Sequence, residues 1–132
     1  MGKAFKTEPQ VKEQKLILIC EDEPTLRELV RASLSGVYQF AEARDGFDAL
    51  GLARELEPDA VVLDLMLPRK SGLEVLAELR EDEQLRSIPV LVMTAWSDML
   101  DAALAAGADA FVSKPFDPDD LKIAVDELLA EQ

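Results

Sequence analysis

Two runs decide the fold: "AVVLD" at residues 60–64 and "IPVLVM" at residues 88–93. Both are almost continuously apolar and rich in β-branched residues, and both are too short for a buried helix. A strand with one wet face alternates apolar with polar residues. A strand without that alternation is covered on both faces, as parallel strands flanked by helices are. Outward from these two, similar short runs recur at "LILIC" (16–20), "VYQFA" (37–41) and "AFVS" (110–113), each followed by residues of helical period. The first helix opens at Pro24, which suits a first turn, and puts Leu26, Leu29, Val30 and Leu34 on one side before Gly36 stops it. The second runs from about Asp48 with Ala49, Leu52, Ala53 and Leu56 inward and ends before Pro58. A third follows Gly72, a fourth follows Ser97, and the last follows Asp117 with Leu121, Val125, Leu128 and Leu129 inward. Five βα units make a doubly wound α/β sandwich with a parallel sheet.

Composition removes several function classes. The 132 residues are enough for one ordinary core and too few for two. With 27 Asp and Glu against 14 Lys and Arg, the net charge of -13 disfavours a direct grip on nucleic acid. There is no histidine, so the chain supplies no catalytic imidazole and no phosphohistidine, and its one cysteine, Cys20, reads as a small buried hydrophobe. No run approaches the roughly 18 apolar residues of a membrane span, and the N-terminus lacks an apolar signal core, so a soluble cytoplasmic protein is the default. Residues 1–14, "MGKAFKTEPQVKEQ", are polar and aperiodic and read as a flexible extension ahead of one domain over 15–132.

In open α/β sheets, ligands collect at the carboxyl ends of the strands, beside the point where strand order reverses. Those ends carry Glu21 and Asp22, then Asp64, Thr94 and Lys114. An all-oxygen set without His or Cys suits a hard divalent cation such as Mg²⁺. Each residue also has a plainer reading. Glu21 and Asp22 favour a helix N-terminus as solvated acids. Thr94, Ser97 and Asp98 compete as the cap of the fourth helix, and Ser97 is the better candidate.

The motifs "ILICEDEP", "PDAVVLDLMLPRKSGLEVL", "VLVMTA" and "FVSKPF", in this order and at these strand ends, resemble the receiver domain of two-component response regulators, of the single-domain chemotaxis kind. The resemblance covers Lys15 to Glu131. It implies a flavodoxin-like five-stranded sheet of order 2-1-3-4-5 with five helices. It makes Asp64 the phosphoacceptor, with Glu21, Asp22, Asp64 and the Met66 backbone carbonyl holding Mg²⁺, for which Mn²⁺ substitutes. Thr94 and Lys114 would contact phosphoryl oxygens, and the Lys114–Pro115 bond would be cis. The implied switch pairs Thr94 with Phe111, which stands where a tyrosine is common and whose plainer reading is ordinary core. Met66 and Trp96 would flank the phosphoryl group and limit access of water. The implied partners are a sensor histidine kinase or histidine phosphotransfer protein and an output protein docking at helix four, strand five and helix five. A phosphorylation-dependent homodimer is a further expectation, and nucleic acid and membrane are not expected as partners. With the given residues ending about one turn after the last helix, output is expected through protein contacts rather than through an attached output domain. A Mg²⁺-dependent aspartyl phosphatase needs a second Asp where Met66 stands, and a receiver-like module that binds without phosphorylation would not need the full set.

Overall fold

The computed structural model describes residues 14–130. The proposed extension therefore lies almost wholly outside the described residues. Five strands, β1 (Lys15–Cys20), β2 (Tyr38–Ala43), β3 (Ala60–Asp64), β4 (Val90–Thr94) and β5 (Ala110–Ser113), alternate with five helices. The helices are α1 (Pro24–Leu34), α2 (Gly46–Leu56), α3 (Gly72–Glu81), α4 (Leu100–Ala105) and α5 (Pro118–Ala130). All strand pairs are parallel, in the order β2-β1-β3-β4-β5. The order reverses between β1 and β3, so their carboxyl ends flank the crevice where such folds bind ligands.

The apolar runs are explained by two cores, one on each face of the sheet. Side chains of a strand alternate between faces. Leu18, Cys20, Val61, Leu63, Val90 and Val92 pack against α2 and α3 through Ala49, Leu50, Ala53, Val75, Leu76 and Leu79. Their neighbours Ile17, Ile19, Val62, Leu91 and Met93 pack against α1 and α5 through Val30, Leu34, Leu121, Val125, Leu128 and Leu129. Every residue of β3 and β4 is buried, as their lack of alternation requires. Cys20 is wholly buried, and burial pushes its thiol up, so it stays protonated and packs as a hydrophobe.

Three local expectations are corrected. On α1, Leu29 is exposed and Arg27 is buried in its stead, because the guanidinium finds acceptors inside. On α2, Leu50 is buried and Leu56 exposed: the helix begins at Gly46, two residues earlier than expected, and its inner stripe runs through Gly46, Ala49, Leu50 and Ala53. Ser97 caps nothing: it begins a short 3₁₀ turn, Ser97–Met99, that leads into a six-residue α4. At the floor of the sheet, Arg80 on α3 donates to the carbonyls of Arg86, Ile88 and Gly107 and to Asp109, tying α3 to the entries of β4 and β5.

Gly72 joins the sheet to its third helix. A Cβ there would lie 2.6 Å from Leu65 Cα and closer still to the Asp64 carbonyl oxygen, so only glycine lets α3 start against the end of β3. Alanine in a helix is favoured over glycine by about 1 kcal/mol, but overpacking against backbone costs about 1–3 kcal/mol. Gly72→Ala is accordingly expected to lower stability in denaturant unfolding, despite its better helix propensity.

Candidate functional site

The crevice at the β1/β3 switch point is lined by acids that the folding pattern forces together. Glu21 leaves β1, and its amide donates to Ala43 at the end of β2. Asp64 is the last residue of β3 and only 2 % exposed. Ligand atoms of Glu21, Asp22 and Asp64 all lie within 4.8 Å of one another. Glu23, third in the acid run, serves otherwise: its carboxylate accepts from the Leu26 amide at 2.8 Å and caps α1.

The cation that such crowding demands is Lys114, one residue beyond β5. Its ammonium donates to Glu21 Oε1 at 2.9 Å and to Asp64 Oδ2 at 3.0 Å. The second oxygen of each acid is also held: Glu21 Oε2 accepts from the Glu23 amide at 3.1 Å, and Asp64 Oδ1 from the Met66 amide at 3.0 Å. Burial raises the Glu21 carboxyl above its ordinary range; the Lys114 hydrogen bond pulls it back, and the neighbouring Asp64 charge pushes it up again. Burial alone would lower the Lys114 ammonium, but its bonds to Glu21 and Asp64 outweigh this and raise it. Lysine is therefore charged at neutral pH. Three carboxylates against one ammonium leave a deficit of positive charge that a hard divalent cation would fill.

Thr94 closes β4, 4 % exposed, and its carbonyl accepts the Lys114 amide at 2.9 Å, which fixes the lysine's backbone to the neighbouring strand end. Its hydroxyl accepts from the Trp96 amide at 2.9 Å, while the contact to the Trp96 carbonyl is 3.4 Å. At that length the hydroxyl proton is weakly held. The Lys114–Pro115 peptide is cis. Met66 and Trp96 are 54 % and 56 % exposed and stand on the rim. Phe111 is no core residue: 45 % exposed, it lines a surface hollow of about 310 Å³ with Pro115, Phe116 and Asp117.

The structure thus brings Glu21, Asp22, Asp64 and Lys114 into one cluster, sets Thr94 at the adjoining strand end, and keeps Phe111 outside. Sequence reading missed Arg27, whose side chain donates to the Glu21 carbonyl at 2.9 Å and to the Glu42 carboxylate at 3.0 Å. A charged residue on the inner side of an amphipathic helix is the signal that could have found it.

Comparison with known proteins agrees with this architecture. The family described as "Response regulator receiver domain" matches residues 17–126. Among curated relatives, the DNA-binding dual master transcriptional regulator RpaA of Synechocystis is 40 % identical over 116 residues, covering 86 % of this chain and 48 % of that protein. The response regulator MprA of a Mycobacterium species is 44 % identical over 117 residues, covering 86 % and 47 %. The chain spans about half the length of these curated relatives. Among solved structures, the chemotaxis response regulator CheY4 of Vibrio cholerae superposes with a TM-score of 0.83 at 26 % identity, covering 89 % of this chain and all of that one. The phosphorylated cyanobacterial phytochrome response regulator RcpA gives 0.81 at 27 % identity, covering 91 % and 97 %. Five parallel strands in flavodoxin-like order, a family match over most of the length and these relatives lead to one conclusion: the chain belongs to the response regulator receiver domains, the signalling domains of two-component systems.

Proposed function

We propose that this receiver domain accepts a phosphoryl group on Asp64 from a phosphohistidine of a histidine kinase or phosphotransfer protein, with Mg²⁺, and thereby controls a protein partner. The observation that carries this reading is the Lys114 ammonium held between the buried carboxylates of Glu21 and Asp64. Receiver domains of this family interact with histidine kinases, and the chain has no histidine of its own to donate from.

A carboxylate is ionised at neutral pH and needs no general base to act as a nucleophile. As its oxygen bonds to phosphorus, the P–N bond of the donor breaks and the electron pair returns to the donor imidazole. Negative charge is meanwhile spread over the phosphoryl oxygens, and donors already in place are worth most there. Lys114 supplies one such charge, and the weakly held Thr94 proton turns from the Trp96 carbonyl to a phosphoryl oxygen. Glu21, Asp22 and Asp64 with the Met66 carbonyl would hold Mg²⁺, which neutralises phosphoryl charge when bound. Turning the Thr94 proton gives up only the long contact to the Trp96 carbonyl; a shift of the whole side chain toward the phosphoryl group would also break the bond it accepts from the Trp96 amide and free the chain after β4, while Phe111, with no hydroxyl to satisfy on burial, is able to rotate inward. Relatives named as DNA-binding regulators lend no support to excluding nucleic acid as a partner of a longer protein. Among the described residues no helix is long and apolar enough to cross a membrane.

Intact mass after incubation with acetyl phosphate tests the proposal. One added phosphoryl group is expected with Mg²⁺, none with EDTA, and none in Asp64→Asn; no adduct and no beryllofluoride binding in the wild type would leave constitutive partner binding as the reading. Phosphoryl lifetime follows from the rim: Trp96→Glu admits water and is expected to lose the group faster than wild type in a time course of the same mass assay.

Stability against pH reports the acid crowding. Glu21 has its folded value raised above the unfolded 4.5, so its favourable contribution is complete below pH 4.5 and is lost as pH rises through the folded value. In EDTA, Glu21→Gln is expected to match wild type near pH 4 and to unfold at higher temperature than wild type near pH 8.

A further inference from the structure

Resting on the Mg²⁺ reading above, we propose that Arg27 is a positioning residue for the divalent-cation site, aiming Asp22 by clamping the Glu21–Asp22 peptide plane. Arg27 lies on the inner face of α1 and is 8 % exposed. Burying a guanidinium is costly unless its bonds are made, and replacing such pairs with apolar residues is often neutral or stabilising. Arg27 spends its donors on two acceptors: Nη1 on the Glu21 carbonyl at 2.9 Å and Nε on Glu42 Oε1 at 3.0 Å. Neither is a carboxylate of the proposed cation site.

The Glu21 carbonyl and the Asp22 amide belong to one rigid planar unit. Glu21 is fixed on every other side: its amide by Ala43, its carboxylate by Lys114 and the Glu23 amide. Asp22 is exposed, and its ligand atom lies with those of Glu21 and Asp64. What sets its direction is the peptide plane before it and the start of α1 after it. The Arg27 side chain governs the first; the second is held by main-chain bonding, the residue-27 amide donating to the Glu23 carbonyl at 3.0 Å, which every substitution proposed at 27 leaves in place. Glu42 in turn is held by Arg31 at 3.0 Å, so the clamp is braced on β2 and keeps a second cation if Arg27 is replaced.

Charge gives the test its sign. Removing a cation close to three carboxylates tightens Mg²⁺ binding by Coulomb attraction alone; removing a positioning residue weakens it. Loss of partners that orient metal ligands typically costs about 10–100-fold in affinity. Mg²⁺ titration by calorimetry on the full chain, with no phosphodonor, compares wild type with Arg27→Met, Arg27→Lys and Val30→Ala. Val30 is a buried core residue of the same helix away from the acids, so its variant carries the cost of a weakened α1 alone.

The expected result is an affinity loss of about tenfold or more in Arg27→Met, a smaller loss in Arg27→Lys, which keeps charge but lacks the fork, and none in Val30→Ala despite its lower unfolding temperature. Unchanged or tighter binding in Arg27→Met overturns the inference, as does an equal loss in Val30→Ala. Should Arg27→Met not fold, wild-type affinity in Arg27→Lys overturns it equally. Wild type that takes up no Mg²⁺ refutes the functional reading itself, and the inference with it.

Discussion

The ammonium of Lys114 between Glu21 and Asp64 is the interaction on which the rest of the site depends. Without it, two buried carboxylates would face each other across the seam between β1 and β3, at a cost that burial in low dielectric makes large. Lysine reaches them because β5 pairs with β4 two strands away from β1, and its backbone amide is pinned to Thr94. A residue 93 positions from Glu21 in sequence thus completes a cluster that begins at the first strand. The parallel sheet supplies this convergence: all strands end on one side, so chemistry scattered along the chain collects on one rim.

The arrangement is neutral in neither charge nor energy. One ammonium does not balance three carboxylates, and the raised Glu21 shows the remaining tension as a preference for holding its proton. A structure optimised for stability alone would place amides or apolar groups there. Retaining acids beside a strand switch point is what a site for a multivalent cation or a phosphoryl group requires, at the expense of resting stability. The same bargain recurs in Arg27, whose burial is repaid by the hold it takes on the main chain of Glu21.

Most of the fold was legible because its signal is hydrophobic and local. The unbroken runs of β3 and β4 reported two covered faces, and the spacing of Leu121, Val125, Leu128 and Leu129 reported the inner side of α5. What escaped were features that depend on partners distant in sequence. β2 extends through Glu42, which no strand pattern favours, because Arg27 and Arg31 receive its charge. Arg27 displaced the expected Leu29 for the same reason. Ser97 was the better cap by local chemistry, but the chain after Thr94 runs through a turn held by the threonine hydroxyl, and the helix begins later. The strand-end residues were legible as a set, since their position needs only the strand order. Their bonds were not, because a hydrogen bond is a fact of distance and the sequence records only order.

Arg80 at the opposite end of the sheet has a consequence for how such a domain is able to vary. One guanidinium gathers the ends of α3, β4 and the turn into β5 by acceptors that are mostly main-chain carbonyls. Main-chain acceptors are indifferent to side-chain identity, so the base of the sheet keeps its shape under substitution of the residues it binds. The rim, by contrast, is made of single side chains such as Met66 and Trp96 that few others lean on. Changes at well-separated positions add nearly independently. Substitution at the rim is therefore able to change the surroundings of Asp64 while the bonds that hold the base of the sheet stay as they are.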